Sequence, residues 1–142
     1  REVGNVQFNE GAWHSGEKDA LARFGDQVEW HAMGEGFTWE TQDLARDIAA
    51  ARRAFDKAKE LMPDPTIGLV ILDELNIALR YDYLDLDEVV ATLVARRPGL
   101  HVVVTGRNAK DKLVEMADLV TEMGSVKHHF CAGVKAQQGI EF

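Results

Sequence analysis

Two adjacent acids, Asp73 and Glu74, directly follow an apolar run that extends from Ile67 to Leu72. A continuous run of this kind is typical of a strand covered on both faces in a parallel sheet. In open parallel sheets ligands bind beyond the carboxyl ends of the strands, where these acids would lie. Carboxylate oxygens suit a hard, water-retaining ion such as Mg²⁺. The pair therefore indicates a metal site, with the alternative that an acid at a strand end only caps the next helix.

A second polar group, Thr105 to Arg107, follows the apolar segment LHVVV. The planar guanidinium of Arg107 can hold phosphate oxygens, although a surface ion pair with an acid is the more ordinary role of such a residue. Because the carboxyl ends of parallel strands meet at one edge of a sheet, this group, the acid pair and the loop after Phe8 should face a single crevice.

The segment GEGFTWET, residues 34 to 41, places Phe37 and Trp39 two positions apart, outside any regular apolar pattern. In an extended segment residues two apart share a side, so both rings can press on one planar surface. A hydrophobic plug at a sheet edge, or a dimer contact, explains the pair equally well from composition alone.

Other reactive side chains give weaker signals. His128 and His129 are adjacent, so on a strand they would point to opposite faces and could not easily share a metal ion. Cys131 is the single cysteine, which excludes an internal disulfide, and we expect a small buried side chain rather than a nucleophile. We therefore predict neither a zinc site nor thiol chemistry.

Strand and helix signals alternate along the chain. The strand signals are VGNVQF, QVEWHAMG, TIGLVIL and LHVVV, with LVTEM and VKHHF as shorter candidates. Helices are predicted from about Thr41 to Met62, from the capping box at Asp85 to the residues before Pro98, and from about Asn108 to Ala117. This order predicts one α/β domain over residues 1–142, with three layers and a mainly parallel sheet between helices.

The longest predicted helix should bury a stripe of apolar residues with three- and four-residue spacing. The stripe consists of Leu44, Ile48, Ala51, Phe55, Ala58 and Met62.

Composition limits the classes of function. At 142 residues and 46% hydrophobic content, the chain can build one compact core. Its net charge of −8 would repel a phosphate backbone, so no nucleic-acid partner is predicted. It contains no apolar run of roughly 20 residues and no cleavable leader, so neither a membrane span nor export is predicted. A single cysteine fits a reducing compartment, and we expect the cytoplasm.

The acid pair at the end of a buried strand has the pattern of a Walker B strand, which normally accompanies a phosphate loop of the form G-x-x-x-x-G-K-[ST]. No such string occurs in the chain. We expect that the first strand of the domain, its phosphate loop and its first helix lie upstream of Arg1.

Six strings carry a specific resemblance over essentially the whole chain. They are VQF..GAW, GFTWETQD, VILDELN, YDYL, VVVTGR and VKHHF.AGVKAQQGIEF, in this order. Together they resemble the ATP:corrinoid adenosyltransferases of the bacterial cobalamin pathway. The resemblance implies a RecA-like P-loop NTPase fold and a homodimer. It also implies transfer of the 5′-deoxyadenosyl group of ATP to the cobalt of a reduced corrinoid, with release of tripolyphosphate.

The resemblance also implies roles for individual residues. Phe37 and Trp39 would occupy the face below the corrinoid and displace the lower axial ligand of cobalt(II), so that a reduced flavoprotein can deliver the electron. Glu74 would hold Mg²⁺ on the triphosphate with Asp73 supporting it, and Arg107 would steady phosphate charge. Two other classes of function stay open: a RecA-like ATPase that moves a partner, which VILDE fits equally well, and a non-catalytic corrinoid-binding or dimerisation module.

Overall fold

The described residues build a sheet of four parallel strands. The computed structural model describes residues 2–8, 16–33 and 44–137. The strands lie in the order β2-β1-β3-β4, and each neighbouring pair is parallel. They are β1 (Glu2–Gln7), β2 (Val28–Ala32), β3 (Ile67–Asp73) and β4 (His101–Val104). The prediction of an α/β fold with a parallel sheet is confirmed.

Five α-helices occur within the same ranges. They are α1 (Gly16–Ala22), α2 (Leu44–Leu61), α3 (Leu75–Arg80), α4 (Leu86–Val94) and α5 (Asp111–Met116). The three predicted helices correspond to α2, α4 and α5, while α1 and α3 were not predicted. Within the described ranges we find no helix with the length and apolar character that a membrane span requires.

Helix α2 packs on the sheet through small side chains. Four alanines of the helix are buried, and they surround Phe55, which is fully buried. A row of small residues lets the helix approach the strands closely, and Leu61 reaches Gly4 of β1. The predicted stripe is wrong at its start, because Leu44 and Ile48 are 60% and 40% exposed.

Helices α2 and α4 both contribute buried residues to the core that they share with the strands. Helix α4 begins as the capping box predicted, since the side chain of Asp85 accepts a hydrogen bond from the backbone N–H of Glu88 at 2.8 Å. The carboxylate of Glu88 in turn accepts hydrogen bonds from Arg52 at 2.6 Å and Lys59 at 3.2 Å, both on α2. These contacts join the two helices at their solvent side.

Strands β1 and β3 mark the point where the strand order changes direction. From β1 the chain moves outward to β2, then returns past β1 to β3 and continues to β4. Where the chain leaves two neighbouring strands toward opposite sides of the sheet, a crevice opens beyond the carboxyl ends of those strands. Ligands of α/β proteins bind in such a crevice. Gln7 and Asp73, which pair in register at these ends, lie at that crevice.

The segment after α5 differs from the prediction. LVTEM is neither helix nor strand, and most of VKHHF lies in or next to a 3-10 turn at His129–Ala132. A strand forms only beside a partner strand, and within the described ranges β4 pairs with β3 alone. The apolar side chains of this segment are exposed, among them Leu119 at 84% and Met123 at 93%. Cys131 is also exposed, so the expectation of a buried thiol is wrong.

Candidate active site at the carboxyl edge of the sheet

Three strand ends converge at one edge, as predicted from the parallel sheet. The backbone N–H of Phe8 donates to the carbonyl of Asp73 at 3.0 Å, which joins β1 to β3. The N–H of Thr105 donates to the carbonyl of Leu72 at 3.2 Å, which joins β4 to β3. The acid pair therefore lies between the ends of β1 and β4.

The carboxylate of Asp73 is held from both sides. Its Oδ1 accepts a hydrogen bond of 2.6 Å from the hydroxyl of Thr105, and its Oδ2 lies 3.4 Å from the Nε2 donor of Gln7. The Thr105 bond is short, whereas the Gln7 contact is long and weak. Both oxygens of the Asp73 carboxylate therefore contact residues at the ends of neighbouring strands, and these contacts hold the side chain in place.

Glu74 adopts a backbone conformation that is rare for a residue with a side chain. Its φ of 61° and ψ of 20° are left-handed, which costs about 1–2 kcal/mol relative to the right-handed region. Two hydrogen bonds hold it there: its N–H donates to the hydroxyl of Thr105 at 2.9 Å, and its carbonyl accepts from Ile77 at 3.0 Å. Strained residues of this kind concentrate at functional sites.

The alternative that the acids only cap the next helix finds no support in the geometry. Glu74 is the residue that precedes α3, and its side chain makes no capping hydrogen bond. The side chain of Asp73 bonds to Thr105, on another strand end, instead of to the helix. The two carboxylates are therefore placed for something other than helix capping.

The loop after β4 lies directly against the acid pair. Asn76 is buried, and it clamps this loop twice: its backbone N–H donates to the carbonyl of Thr105 at 3.2 Å, and its Nδ2 donates to the carbonyl of Gly106 at 3.2 Å. Gly106 has a φ of +117°, a conformation that side-chain-bearing residues rarely adopt. These contacts fix the start of the loop that carries Arg107.

Arg107 is exposed and follows Gly106 at this edge. The sequence suggested a surface ion pair as the more ordinary role of Arg107. Within the described ranges Arg107 forms no ion pair with an acid. Phe37 and Trp39 lie outside the described residues, so their predicted role stays a prediction.

Sequence reasoning missed Gln7 and Asn76. Both are buried polar residues, at 2% and 5% exposure, that bond to the ends of neighbouring strands. Asn76 stands inside the string VILDELN, and Gln7 is the last residue of β1. The available signal was their position, since Gln7 ends β1 and Asn76 lies three residues after the end of β3.

The side chains at this edge fit Mg²⁺. Among the described residues no group of three or more His, Cys, Asp or Glu side chains could enclose a metal ion. Mg²⁺ does not need such a cage, because it usually takes one or two carboxylates and completes its shell with water and substrate phosphates. Two adjacent carboxylates at a ligand crevice supply that kind of site.

His128 and His129 do not lie on a strand, so the premise of opposite faces was wrong. Their rings stack with centroids 4.5 Å apart. The Nδ1 of His128 accepts a hydrogen bond from the N–H of Phe130 at 3.1 Å, which caps the short turn that follows. The observed role of His128 is local and structural.

Comparison with known proteins identifies close relatives of the chain. Residues 1–142 match the family model described as ATP:corrinoid adenosyltransferase BtuR/CobO/CobP. A corrinoid adenosyltransferase of Sinorhizobium sp is 57% identical over 139 residues, which cover 96% of this chain and 65% of that protein. The corrinoid adenosyltransferase of Pseudomonas aeruginosa is 57% identical over 140 residues, 99% of this chain and 69% of the relative.

A more distant relative shows the same pattern. The corrinoid adenosyltransferase CobA of Salmonella typhimurium is 44% identical over 142 residues, covering 100% of this chain and 71% of that protein. The chain thus spans between 65% and 71% of the length of these curated relatives.

Proposed function

The chain belongs to the ATP:corrinoid adenosyltransferase family, and on this premise we propose that the protein transfers the 5′-deoxyadenosyl group of ATP to the cobalt of a reduced corrinoid, releasing tripolyphosphate. The single observation that carries the proposal is the acid pair at the carboxyl edge, with Glu74 held in a strained conformation beside Asp73. This is the arrangement expected where a nucleotide triphosphate and its metal ion bind.

At the triphosphate end, Glu74 would hold Mg²⁺, and Asp73 would support it by fixing the end of the strand. Arg107, on the loop that Asn76 clamps, faces the phosphate oxygens. Bound Mg²⁺ would supply positive charge to the triphosphate, which is the leaving group of this reaction. The reaction needs no hydrolytic base, so Glu74 does not have to activate water.

At the corrinoid end, the family resemblance implies that Phe37 and Trp39 would supply an apolar wall below the macrocycle. Such a wall offers neither a donor atom nor water to the lower axial position, so cobalt(II) loses that ligand and accepts an electron more easily. Cobalt(I) then donates an electron pair to the ribose C5′ carbon. The bond from C5′ to oxygen breaks, and its electron pair leaves with the triphosphate. The protein contributes position and control of coordination.

A larger fold accompanies this proposal. We infer a three-layer RecA-like P-loop fold in which a further strand and a phosphate loop complete the ATP site. Two observations support it. Within the described ranges the outer edge of β4 has no partner strand. The apolar side chains of Val103, in β4, and of Leu119, after α5, are exposed. The homodimer and the reduced flavoprotein donor rest on the family resemblance, and the cytoplasmic location rests on the single cysteine.

A spectroscopic experiment tests the function. Full-length protein is mixed with ATP, Mg²⁺, a corrinoid and a reductant, and the visible spectrum is followed with and without light. A light-sensitive cobalt–carbon species, formed with one equivalent of tripolyphosphate, is expected. Phosphate release without that species would instead identify an ATPase, and the absence of both would identify a binding module.

A further inference from the structure

We propose that Thr105 is the positioning residue of this site, because one hydroxyl group controls both acids. The inference rests on the proposed function, since it concerns how the metal-holding carboxylate is presented. The hydroxyl donates its proton to Oδ1 of Asp73 at 2.6 Å and accepts the N–H of Glu74 at 2.9 Å. Thr105 therefore bonds to the side chain of one acid and to the backbone of the other.

The hydroxyl has a fixed direction. A threonine hydroxyl carries one proton and two lone pairs, and here the proton goes to Asp73 while a lone pair takes the Glu74 N–H. The β-branched side chain has few rotamers, and the backbone of Thr105 is held on both sides by Leu72 and Asn76. The side chain is therefore rigid before any ligand arrives.

This contact offsets the strain at Glu74. Without the hydroxyl, the N–H of Glu74 and one oxygen of Asp73 lose a hydrogen-bond partner in a half-buried place, and such losses are costly. The left-handed conformation would then lose one of the two hydrogen bonds that hold it. Relaxation toward a common backbone conformation would turn the carboxylate of Glu74 away from the crevice.

The expected consequence is a loss of metal affinity. Groups that orient a metal ligand without touching the metal typically change affinity by about 10–100-fold when they are removed. A purely structural contact between β3 and β4 would instead lower the melting temperature and leave metal binding unchanged. The two roles are therefore separable by measurement.

The experiment uses three variants of the full-length protein. Thr105→Val keeps the shape of the side chain and removes the hydroxyl, while Thr105→Ser keeps the hydroxyl. The matched control is Thr92→Val, because the half-buried hydroxyl of Thr92 bonds to the carbonyl of Glu88 at 2.8 Å, away from the site. Binding of Mn²⁺ in the presence of ATP is measured by electron paramagnetic resonance titration, and the melting temperature by circular dichroism.

We expect Thr105→Val to raise the Mn²⁺ dissociation constant about tenfold or more. Thr105→Ser should stay within about threefold of wild type, and Thr92→Val should match wild type. In steady-state assays the KM for MgATP should rise while the KM for the corrinoid stays constant. Thr105→Ala gives the same comparison if the valine variant does not fold.

Unchanged Mn²⁺ binding in a folded Thr105→Val or Thr105→Ala variant would overturn the inference and leave Thr105 a structural residue. The Glu74→Ala variant separates this result from a failure of the proposed function. If Glu74→Ala also binds Mn²⁺ as tightly as wild type, the metal assignment itself is wrong and the positioning role falls with it.

Discussion

Gly106 lies so close to Glu74 that a β-carbon added to the glycine would be 3.1 Å from Oε2 of that carboxylate. The same β-carbon would be 2.9 Å from Cβ of Asn76, which is closer than real side chains approach. The loop after β4 therefore packs against the acid that we assign to Mg²⁺. Any side chain at this position has to displace either the carboxylate or the clamp that holds the loop.

We expect Gly106→Ala to weaken Mn²⁺ binding in the presence of ATP by about tenfold, as disturbance of a ligand's surroundings commonly does. The reason is steric, since the new methyl group pushes on Glu74 and Asn76. The φ of +117° adds strain of about 1–3 kcal/mol, so the melting temperature should also fall. Isothermal titration and circular dichroism measure the two effects.

Gly99→Ala is the matched control for the backbone strain. Gly99 also has a positive φ, of +81°, but a β-carbon there would meet nothing within 4 Å. This variant should lose stability and keep normal metal affinity. Equal loss of metal affinity in both variants would show that general destabilisation, and not contact with Glu74, is the cause.

The two acids should respond differently to substitution. Glu74→Ala removes the carboxylate proposed to face the metal, so Mg²⁺-dependent ATP binding should fall by about 100-fold, at the upper end for such changes. Asp73→Asn keeps an oxygen that can accept from Thr105, so folding should survive and the loss of binding should be smaller. ATP titrations at several Mg²⁺ concentrations make the comparison. Unchanged Mg²⁺ dependence in Glu74→Ala would refute the assignment.

The sequence predicted a helix or a strand correctly where one hydrophobic pattern continued along the whole element. The buried strand β3, the long helix α2 and the capped helix α4 all carry such patterns. Helix α3 did not, because it has only six residues, too few to show a helical period after the acid pair. The break between strand and helix comes at Glu74, whose N–H donates a hydrogen bond to the hydroxyl of Thr105, 31 positions away.

The candidate site was predictable in outline only. Asp73, Glu74 and Thr105 meet because the carboxyl ends of parallel strands lie at one edge of the sheet. This rule can be applied to a sequence alone. Gln7 and Asn76 were not assigned roles, because a buried polar residue and an exposed one look alike in a single sequence. LVTEM and VKHHF were wrongly predicted as short strands, since strand formation depends on a neighbouring strand that local sequence does not reveal.

The aromatic pair is tested by a double substitution. Phe37→Ala with Trp39→Ala should leave folding intact but block adenosylation when a reduced flavoprotein is the electron donor. The reason is that five-coordinate cobalt(II) keeps its lower ligand and resists reduction by a mild donor. The formation of the cobalt–carbon bond is followed by visible spectroscopy.

A stronger chemical reductant serves as the control for this double variant. It bypasses the coordination step, so a large part of the activity should return if the rings act on the lower ligand. Full activity of the double variant with the flavoprotein would contradict the role assigned to Phe37 and Trp39. So would a bound cobalt(II) spectrum that stays five-coordinate in a competent wild-type complex.

The contact between α2 and α4 predicts a pH-dependent stability. Hydrogen bonds from Arg52, and then from Lys59, hold the pKa of Glu88 below its ordinary value of 4.5. A carboxylate whose pKa is lower in the folded state stabilises the fold above its unfolded pKa, and this contribution is lost as pH falls through the folded pKa. The stabilisation should thus be complete at pH 7, begin to fall as pH drops below the ordinary pKa of the group, and be lost as pH falls through the lower folded-state pKa.

Glu88→Gln should therefore lower the free energy of unfolding at pH 7 by only about 0.5–1 kcal/mol, because the side chain of Glu88 is 38% exposed and solvent screens the pairs. Urea unfolding at pH 7 and pH 3 measures the difference between variant and wild type, which should shrink at the lower pH. Glu60→Gln is the control, since the 67% exposed Glu60 pairs with Lys57 on the same helix and should matter less. A difference that stays constant from pH 7 to pH 3 would mean that Glu88 stabilises the helix pair by packing and not by charge.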